Sequence, residues 1–361
     1  MIVLHVLEPF ASGITAAVSS IARELPDFTH IVIHGSRNCT ESTEKVKLRF
    51  PPGVNFVEWK NAGREISPVK DWKALLELIA ILKPYAPRNL KNSRAAVHLH
   101  SSKAGFLGRL ACRLLGIKTV FYTPHCGAFL RTDISSLKRT LYRFLEWLGG
   151  CFGGRVVGCG PSEGELYKSL GKDTTYVSNG VAISNDKYNI RNLVSFAGIA
   201  SFQKDPGLWN EIAKACAGLA REEGFSFYWI GDGPEAEKLN RDYVVVTGWK
   251  SQEGVKDMLE RSAVYVSSSA WEGLPYGVLE AMNSGCALLL RNVPGNRDLV
   301  ISGENGRLFD TAEEAAGYLT LMLKDRALLA AMGKRSREII EQSFSLKQMG
   351  DGYRRLYTHG G

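Results

Sequence analysis

Short apolar runs alternate with longer segments whose apolar residues recur at helical spacing, and in this chain the alternation runs through once and then restarts. Brief Val/Ile/Leu runs between helices are strands buried on both faces, so the pattern is that of βα units on a parallel sheet. In the first set, residues 2–7, 29–34, 54–58, 97–100, 119–122 and 155–159 read as strands, and 13–25, 72–82, 103–115 and 135–148 as helices. The second set follows Val181, with strands at 193–198, 226–231, 244–247, 263–267, 287–290 and 306–309. Its helices are expected over 208–220, 234–240, 254–261, 278–284, 312–323 and 326–342. At 361 residues the chain is too long for one ordinary core. The expected architecture is α/β, with two Rossmann-like doubly wound parallel-sheet domains, 1–178 and 179–343, facing a central cleft. A last amphipathic helix within 344–361 is free to cross back onto the first domain.

Composition narrows the partners. A hydrophobic fraction of 45% with 23% charged residues describes a folded protein rather than a disordered one. No apolar stretch approaches the roughly 20 residues that span a bilayer, and Met1–Leu7 reads as a first strand without a basic flank. Seven scattered cysteines without a Cys-x-x-Cys pair fit a reduced cytoplasm better than a disulfide framework or a zinc site. Residues 1–178 hold 24 Lys plus Arg against 14 Asp plus Glu, while the remainder holds 21 against 23. The whole basic excess therefore sits in the first half. It suits a lipid pyrophosphate, an anionic glycan or peripheral contact with an anionic membrane, and no nucleic acid partner is expected.

The chemistry concentrates at the carboxyl ends of strands. The run from Ser267 to Gly285 reads as strand end, small-residue loop and helix start, with Glu272 and Glu280 eight residues apart around Gly273, Leu274, Pro275, Tyr276 and Gly277. Amides at such a helix start attract phosphate. Glu280, one turn into the helix, can accept two ribose hydroxyls, and Glu272 lies where sugar hydroxyls would arrive. An ordinary acidic helix start would account for Glu280 alone, not for the whole arrangement.

At these residues the sequence resembles the retaining GT-B glycosyltransferases of glycosyltransferase family 4, whose signature is Glu-x7-Glu in this context. Asn179-Gly180-Val181 looks like the family's opening of its C-terminal domain, Gly231-Asp232-Gly233-Pro234 like its Gly-x-Gly-Pro, and Thr247-Gly248-Trp249, followed by Lys250, like its nucleobase-side turn. The segment from Phe196 to Pro206 is similar to the donor-phosphate loop, with Lys204 as the cation for a leaving diphosphate. The family's usual Arg five positions earlier is Ile199 here, so Arg291 or Arg297 would have to substitute, or the donor is held differently, or turnover is poor. In the first half, Ser12 and Gly13 sit in the loop that the resemblance brings to the diphosphate and acceptor. His98-Leu99-His100-Ser101-Ser102-Lys103 resembles the family's His-Ser-Ser-Lys loop, with His100 and Lys103 facing the cleft and His98 in the core or hydrogen-bonded. Thr123-Pro124-His125 matches the Thr-Pro-His turn, which would set His125 against the transferred sugar or acceptor as hydrogen-bond donor or pH-sensitive group.

The resemblance thus implies an enzyme of the cell-surface polysaccharide or lipopolysaccharide type. It would move a hexose or N-acetylhexosamine, with retention, from a nucleotide-diphosphate sugar, UDP-sugar foremost, to a glycan or polyprenyl-linked acceptor. It would be cytoplasmic, or peripheral at the inner face of the cell membrane. Lys204, Glu272 and His125 would carry catalysis. No Asp-x-Asp occurs in the chain, so neither a metal clamp nor another cofactor is expected. His98 and His100 alone lack a third convergent ligand for a metal. A non-catalytic nucleotide-sugar or glycan-binding subunit is the alternative that Ile199 suggests, and a GT-B epimerase is the third. The helix over 135–148, with Lys138, Arg139 and Arg143 beside Leu137, Leu141, Phe144, Leu145 and Leu148, reads as core-facing with a wet basic side, with resting on a membrane as the alternative.

Overall fold

The Val/Ile/Leu runs form strands because both of their faces are covered: in β1 (Ile2–Leu7) only Ile2 keeps part of its surface, and β5 (Val120–Thr123) is buried throughout. The computed structural model describes residues 1–35, 42–63, 65–90, 94–184 and 191–360, apart from the Ser12 side chain. The chain divides into two units, Met1–Leu130 with Ile134–Gly180 and Leu346–Gly361, and Arg131–Asp133 with Val181–Ser345.

In the first unit β1 is followed by α1 (Ser12–Glu24), β2 (Thr29–His34), α2 (Thr43–Lys47), β3 (Asn55–Glu58), α3 (Pro68–Leu82), β4 (Ala95–His100) and α4 (Ser102–Leu115). Then come β5, α5 (Ser136–Cys151), β6 (Arg155–Gly158), α6 (Pro161–Lys168) and β7 (Thr174–Tyr176). Among the described residues these strands form one parallel sheet in the order β3-β2-β1-β4-β5-β6-β7. The order reverses between β1 and β4, whose carboxyl ends pair as Leu7↔His100. Loops leaving such a switch point diverge and open a crevice.

The second unit repeats the plan with β8 (Leu193–Ala197), α7 (Pro206–Glu222), β9 (Ser226–Ile230), β10 (Val244–Val246), α8 (Gln252–Glu260), β11 (Ser262–Ser267) and α9 (Tyr276–Asn283). It closes with β12 (Ala287–Arg291), β13 (Gly306–Phe309), α10 (Ala312–Leu323) and α11 (Arg326–Ser343). Its parallel sheet runs β10-β9-β8-β11-β12-β13, so the switch lies between β8 and β11. The donor-type loops of the sequence leave these two strands.

The last helix, α12 (Leu346–His359), belongs to the first unit and packs on α1. Arg354 grips Asp27 with both guanidinium nitrogens at 2.7 and 2.6 Å, and the Tyr357 hydroxyl lies 2.7 Å from His98 Nδ1. Tyr353 and Tyr357 are almost wholly buried, and each such ring contributes roughly 1.5–3 kcal/mol.

Two local expectations are corrected, and elements that the sequence did not show are added. The helix expected over 234–240 is a single 3-10 turn, Ala236–Lys238, because the Asn240 amide that would continue it donates to Asn210 Oδ1 at 2.8 Å. The strand β7 and helix α6 carry no apolar run long enough to read; β7 is a three-residue, part-exposed edge, and α6 is set by Pro161 in its first turn. Finally, α5 is not core-facing along its apolar stripe: Leu137, Leu141, Phe144 and Trp147 are 79, 45, 51 and 46% exposed. Its buried side is polar, with Glu146 accepting from Tyr122 Oη at 2.8 Å and pairing with fully buried Arg109 at 3.4 Å. Among the described residues no helix is long and apolar enough to cross a membrane.

Candidate active site

In the second unit the loop after β8 is held against the loop after β11 by three hydrogen bonds, and α7 against β11 by a fourth. Ser268 Oγ donates to Lys204 O at 2.7 Å, Ala270 N to Gln203 O at 2.8 Å, Gln203 Nε2 to Trp271 O at 3.0 Å, and Trp209 Nε1 to Val266 O at 3.2 Å. This stitching brings Lys204 Nζ onto Glu272 Oε1 in a close ion pair. Glu272 is nearly buried, at 6% exposure, whereas Lys204 keeps an open side. A carboxylate so placed is stable because its partner is a cation, and the open side of the ammonium is where a second anion can join.

The helix α9 begins at Tyr276 beside this pair, and no side chain caps it at Pro275. Its position depends on Gly277, where a Cβ would lie 2.8 Å from Tyr265 Oη. That hydroxyl donates to Ala197 O and accepts from Ala197 N at 3.2 and 3.3 Å, so the start of α9 is seated on the end of β8. One turn on, Glu280 opens to solvent on its outer side while protein crowds the rest, and the lost hydration pushes its carboxyl up to about 7.

The remaining donor-side candidates gather around the same loop. Gly231, at φ 140°, lies so close to Gly198 O that a Cβ would collide with it. Its amide donates to Thr247 Oγ1 at 3.3 Å, which ties the Thr247-Gly248 turn to the end of β9 and leaves Trp249 54% exposed, with Lys250 exposed beside it. Gly273, Leu274 and Pro275 form the link between Glu272 and α9, the first two buried. Ile199 is 37% exposed and supplies no charge. Arg291 is the basic group drawn to this region, bonded to Ser268 O at 3.2 Å and paired with Asp205 at 3.0 Å. Arg297 turns to Asn292 Oδ1 at 2.7 Å instead.

In the first unit Gly13 is exposed in the first turn of α1, an N-terminus without a side-chain cap at Ala11; the Ser12 side chain lies outside the described residues. His125 follows β5 at φ 53° and Cys126 at φ 80°, two consecutive left-handed residues that cost about 1–3 kcal/mol each. Glu163 holds them there: its buried carboxylate accepts from Cys126 N at 2.6 Å and Cys159 N at 2.8 Å. Burial raises the Glu163 carboxyl above its ordinary range, and those amide bonds oppose the rise. His125 is half-buried, and loss of hydration takes its ring down to about 4.

Two expectations on this side are corrected. His100 does not face outward: it is fully buried among the rings of His98, His5 and His125, with centroids at 4.0, 5.5 and 5.2 Å, and reaches the surface only through its 2.9 Å contact with His125. Lys103 is spent on Asp71 Oδ1 at 2.6 Å and on the Glu65 carbonyl, with 11% of its side chain exposed. His98 is buried and bonded to the Tyr357 and Thr123 hydroxyls, in line with its reading as a core residue.

Two family descriptions match this sequence, one over each sheet: Glycosyl transferase 4-like domain over residues 12–180 and Glycosyl transferases group 1 over 188–339. The chain is a family-4 glycosyltransferase with the GT-B fold. This glycosyltransferase is 29% identical over 324 residues, 81% of each chain, to the UDP-Gal:alpha-D-GlcNAc-diphosphoundecaprenol alpha-1,3-galactosyltransferase of Escherichia coli. Its fold matches sucrose-phosphate synthase from Thermosynechococcus elongatus with a TM-score of 0.78 at 18% identity, over 99% of both chains. It also matches Anabaena HepE in complex with UDP and glucose, with a TM-score of 0.76 at 15% identity, again over 99% of both.

Sequence reasoning missed two features that surround the candidate residues of the first unit. Glu163 lay in a segment read as loop, and its only signal was a carboxylate two residues after a Gly-Pro start. His5 and His30 were read as ordinary strand residues, yet His5, His98 and His100 bring one ring nitrogen each within 4.8 Å of one another. Such a trio has the donor set for a divalent transition metal. Both His98 nitrogens are already taken by hydroxyls, however, and His5 and His100 engage each other, so the trio is satisfied as a hydrogen-bonded cluster.

Proposed function

We propose that this enzyme transfers a hexose or N-acetylhexosamine, with retention, from a UDP-sugar to a glycan or polyprenyl-diphosphate-linked acceptor in cell-surface polysaccharide or lipopolysaccharide assembly. The observation that carries the reading is the Lys204–Glu272 pair beside the uncapped start of α9. The leaving diphosphate takes the open side of Lys204 and the α9 amides, Glu280 accepts the ribose hydroxyls, and Glu272 orients the donor sugar. Both negative charges are met without a divalent cation, as the missing Asp-x-Asp also suggests. The donor's own phosphate oxygen then accepts the acceptor's proton on the face the phosphate leaves, so no side chain serves as base. The E. coli relative's undecaprenyl-diphosphate acceptor and UDP-galactose donor support this choice of substrates, as does UDP in the Anabaena structure.

The basic excess of residues 1–178 and the α5 stripe, where exposed Leu137, Leu141, Phe144 and Trp147 run beside exposed Lys138, Arg139 and Arg143, support peripheral docking on an anionic bilayer at its cytoplasmic face. The decisive experiment incubates the protein with a panel of UDP-sugars and an N-acetylglucosaminyl diphosphopolyprenol acceptor, with and without chelator. Expected are UDP release, a lengthened acceptor and an α-linkage by NMR in both conditions. Abolition by chelator would overturn metal independence, and a β-linked product from an α-linked donor would overturn retention.

A further inference from the structure

Four imidazoles of the first unit are joined end to end, and one end of the chain is chemically fixed. His30 Nε2 lies 3.0 Å from the Leu25 carbonyl oxygen, and His30 Nδ1 lies 3.1 Å from His5 Nε2. His5 Nδ1 is 3.3 Å from His100 Nε2, and His100 Nδ1 is 2.9 Å from His125 Nε2. The sheet register builds this line. His30 pairs with Val3, His5 is two residues further along β1, His100 pairs with Leu7 two further still, and His125 lies two residues past Thr123, the partner of His100. Steps of two keep the residues of neighbouring strands on one face, so the rings climb diagonally across the sheet to its carboxyl edge.

A carbonyl oxygen can only accept, so His30 Nε2 carries a proton. A neutral imidazole has one N–H; His30 Nδ1 is then a lone pair, and the hydrogen bond to it requires a proton on His5 Nε2. The same step repeats at His100 and again at His125. Neutrality holds throughout, since burial depresses His5 and His100 well below the usual imidazole range, lowers His30, and takes His125 to about 4. One backbone oxygen therefore sets the direction of every bond in the line.

We infer that the Leu25 carbonyl, acting through His30, His5 and His100 as positioning residues, locks His125 in the Nε2–H tautomer, so that its Nδ1 accepts a hydrogen bond from a hydroxyl of the bound sugar or acceptor. The ligand half of this inference rests on the proposed function; the tautomer half does not. It reverses the expectation that His125 donates, and it makes that residue an acceptor that stays unprotonated across neutral pH.

The test labels the full chain with 15N-histidine and reads the protonation of each ring nitrogen from long-range proton–nitrogen spectra. His30, His5, His100 and His125 should all carry the proton on Nε2. His30→Phe removes the acceptor while keeping a ring in place, and should leave His125 as a mixture of tautomers with kcat lowered to the fraction that keeps Nε2–H, about twofold for an even mixture. His30→Asn, whose Oδ1 takes the Nδ1 position, should restore both the single tautomer and the rate. A proton on Nδ1 of His125 in the unmodified protein overturns the inference whatever the variants do. So does a lost tautomer with unchanged kcat, which would show a ring ordered but unused while leaving the UDP-sugar assignment standing. Stoichiometric Zn2+ that shifts His5, His98 and His100 together would also overturn it, because the cluster would then be a metal site.

Discussion

Lys204 and Glu272 each complete the other's environment, so their substitutions should separate stability from catalysis. Lys204→Ala leaves a nearly buried carboxylate without its cation, which should lower stability by about 1–3 kcal/mol and kcat by about 10²–10³-fold. Adding Glu272→Gln to it should return most of the melting temperature but none of the rate; thermal denaturation and UDP-release assays on the three variants check this. Glu280 titrates in a useful range. Its folded carboxyl, at about 7 against an ordinary 4.5, binds its proton more tightly than the unfolded chain does. Stability from this group is thus fully present below pH 4.5 and is lost as pH rises through 7, and Glu280→Gln should flatten that slope. Ribose hydroxyls favour the ionised form, so UDP affinity should rise with pH between 6 and 8 in the parent and not in Glu280→Gln, measured by calorimetry.

Single elements carry the next set of consequences. The seat of α9 on β8 tolerates no Cβ at position 277, so Gly277→Ala should tilt the helix start and weaken UDP binding about tenfold. Removing the opposing hydroxyl with Tyr265→Phe should recover part of that loss, which titration of the double variant would show. On α5, Phe144→Glu with Trp147→Glu should abolish co-sedimentation with phosphatidylglycerol vesicles while leaving turnover of a water-soluble acceptor analogue unchanged. Strand positions were legible in the sequence because a strand buried on both faces must be apolar along its length, as in residues 2–7 and 287–290. The orientation of α5 was not, since amphipathic spacing reports two faces without saying which one is covered; here Arg109 and Glu146 draw the polar side inward. The loops that carry Lys204 and Glu272 were legible because each residue sits in its own local motif, although the two lie 68 positions apart. The histidine line was not, because His5, His30, His100 and His125 meet only once strand order and register are known.

At the scale of the molecule, the doubly wound plan appears twice, and the chain passes into the second sheet and returns from it beside itself, with Val181 N donating to Phe344 O at 2.9 Å. Deleting α12 should remove the Arg354–Asp27 grip and the Tyr357 partner of His98. Calorimetry should then show the transition of the first unit lowered or lost while that of the second is retained. The placement of α12 also dictates a sequence of events at the ribosome. The first sheet is translated early, yet it must wait, with the surface meant for α1's partner still bare, until the whole second unit has been made. The part of the enzyme that is synthesised first is therefore the part that matures last, and it is the part a nascent-chain chaperone would be expected to shield.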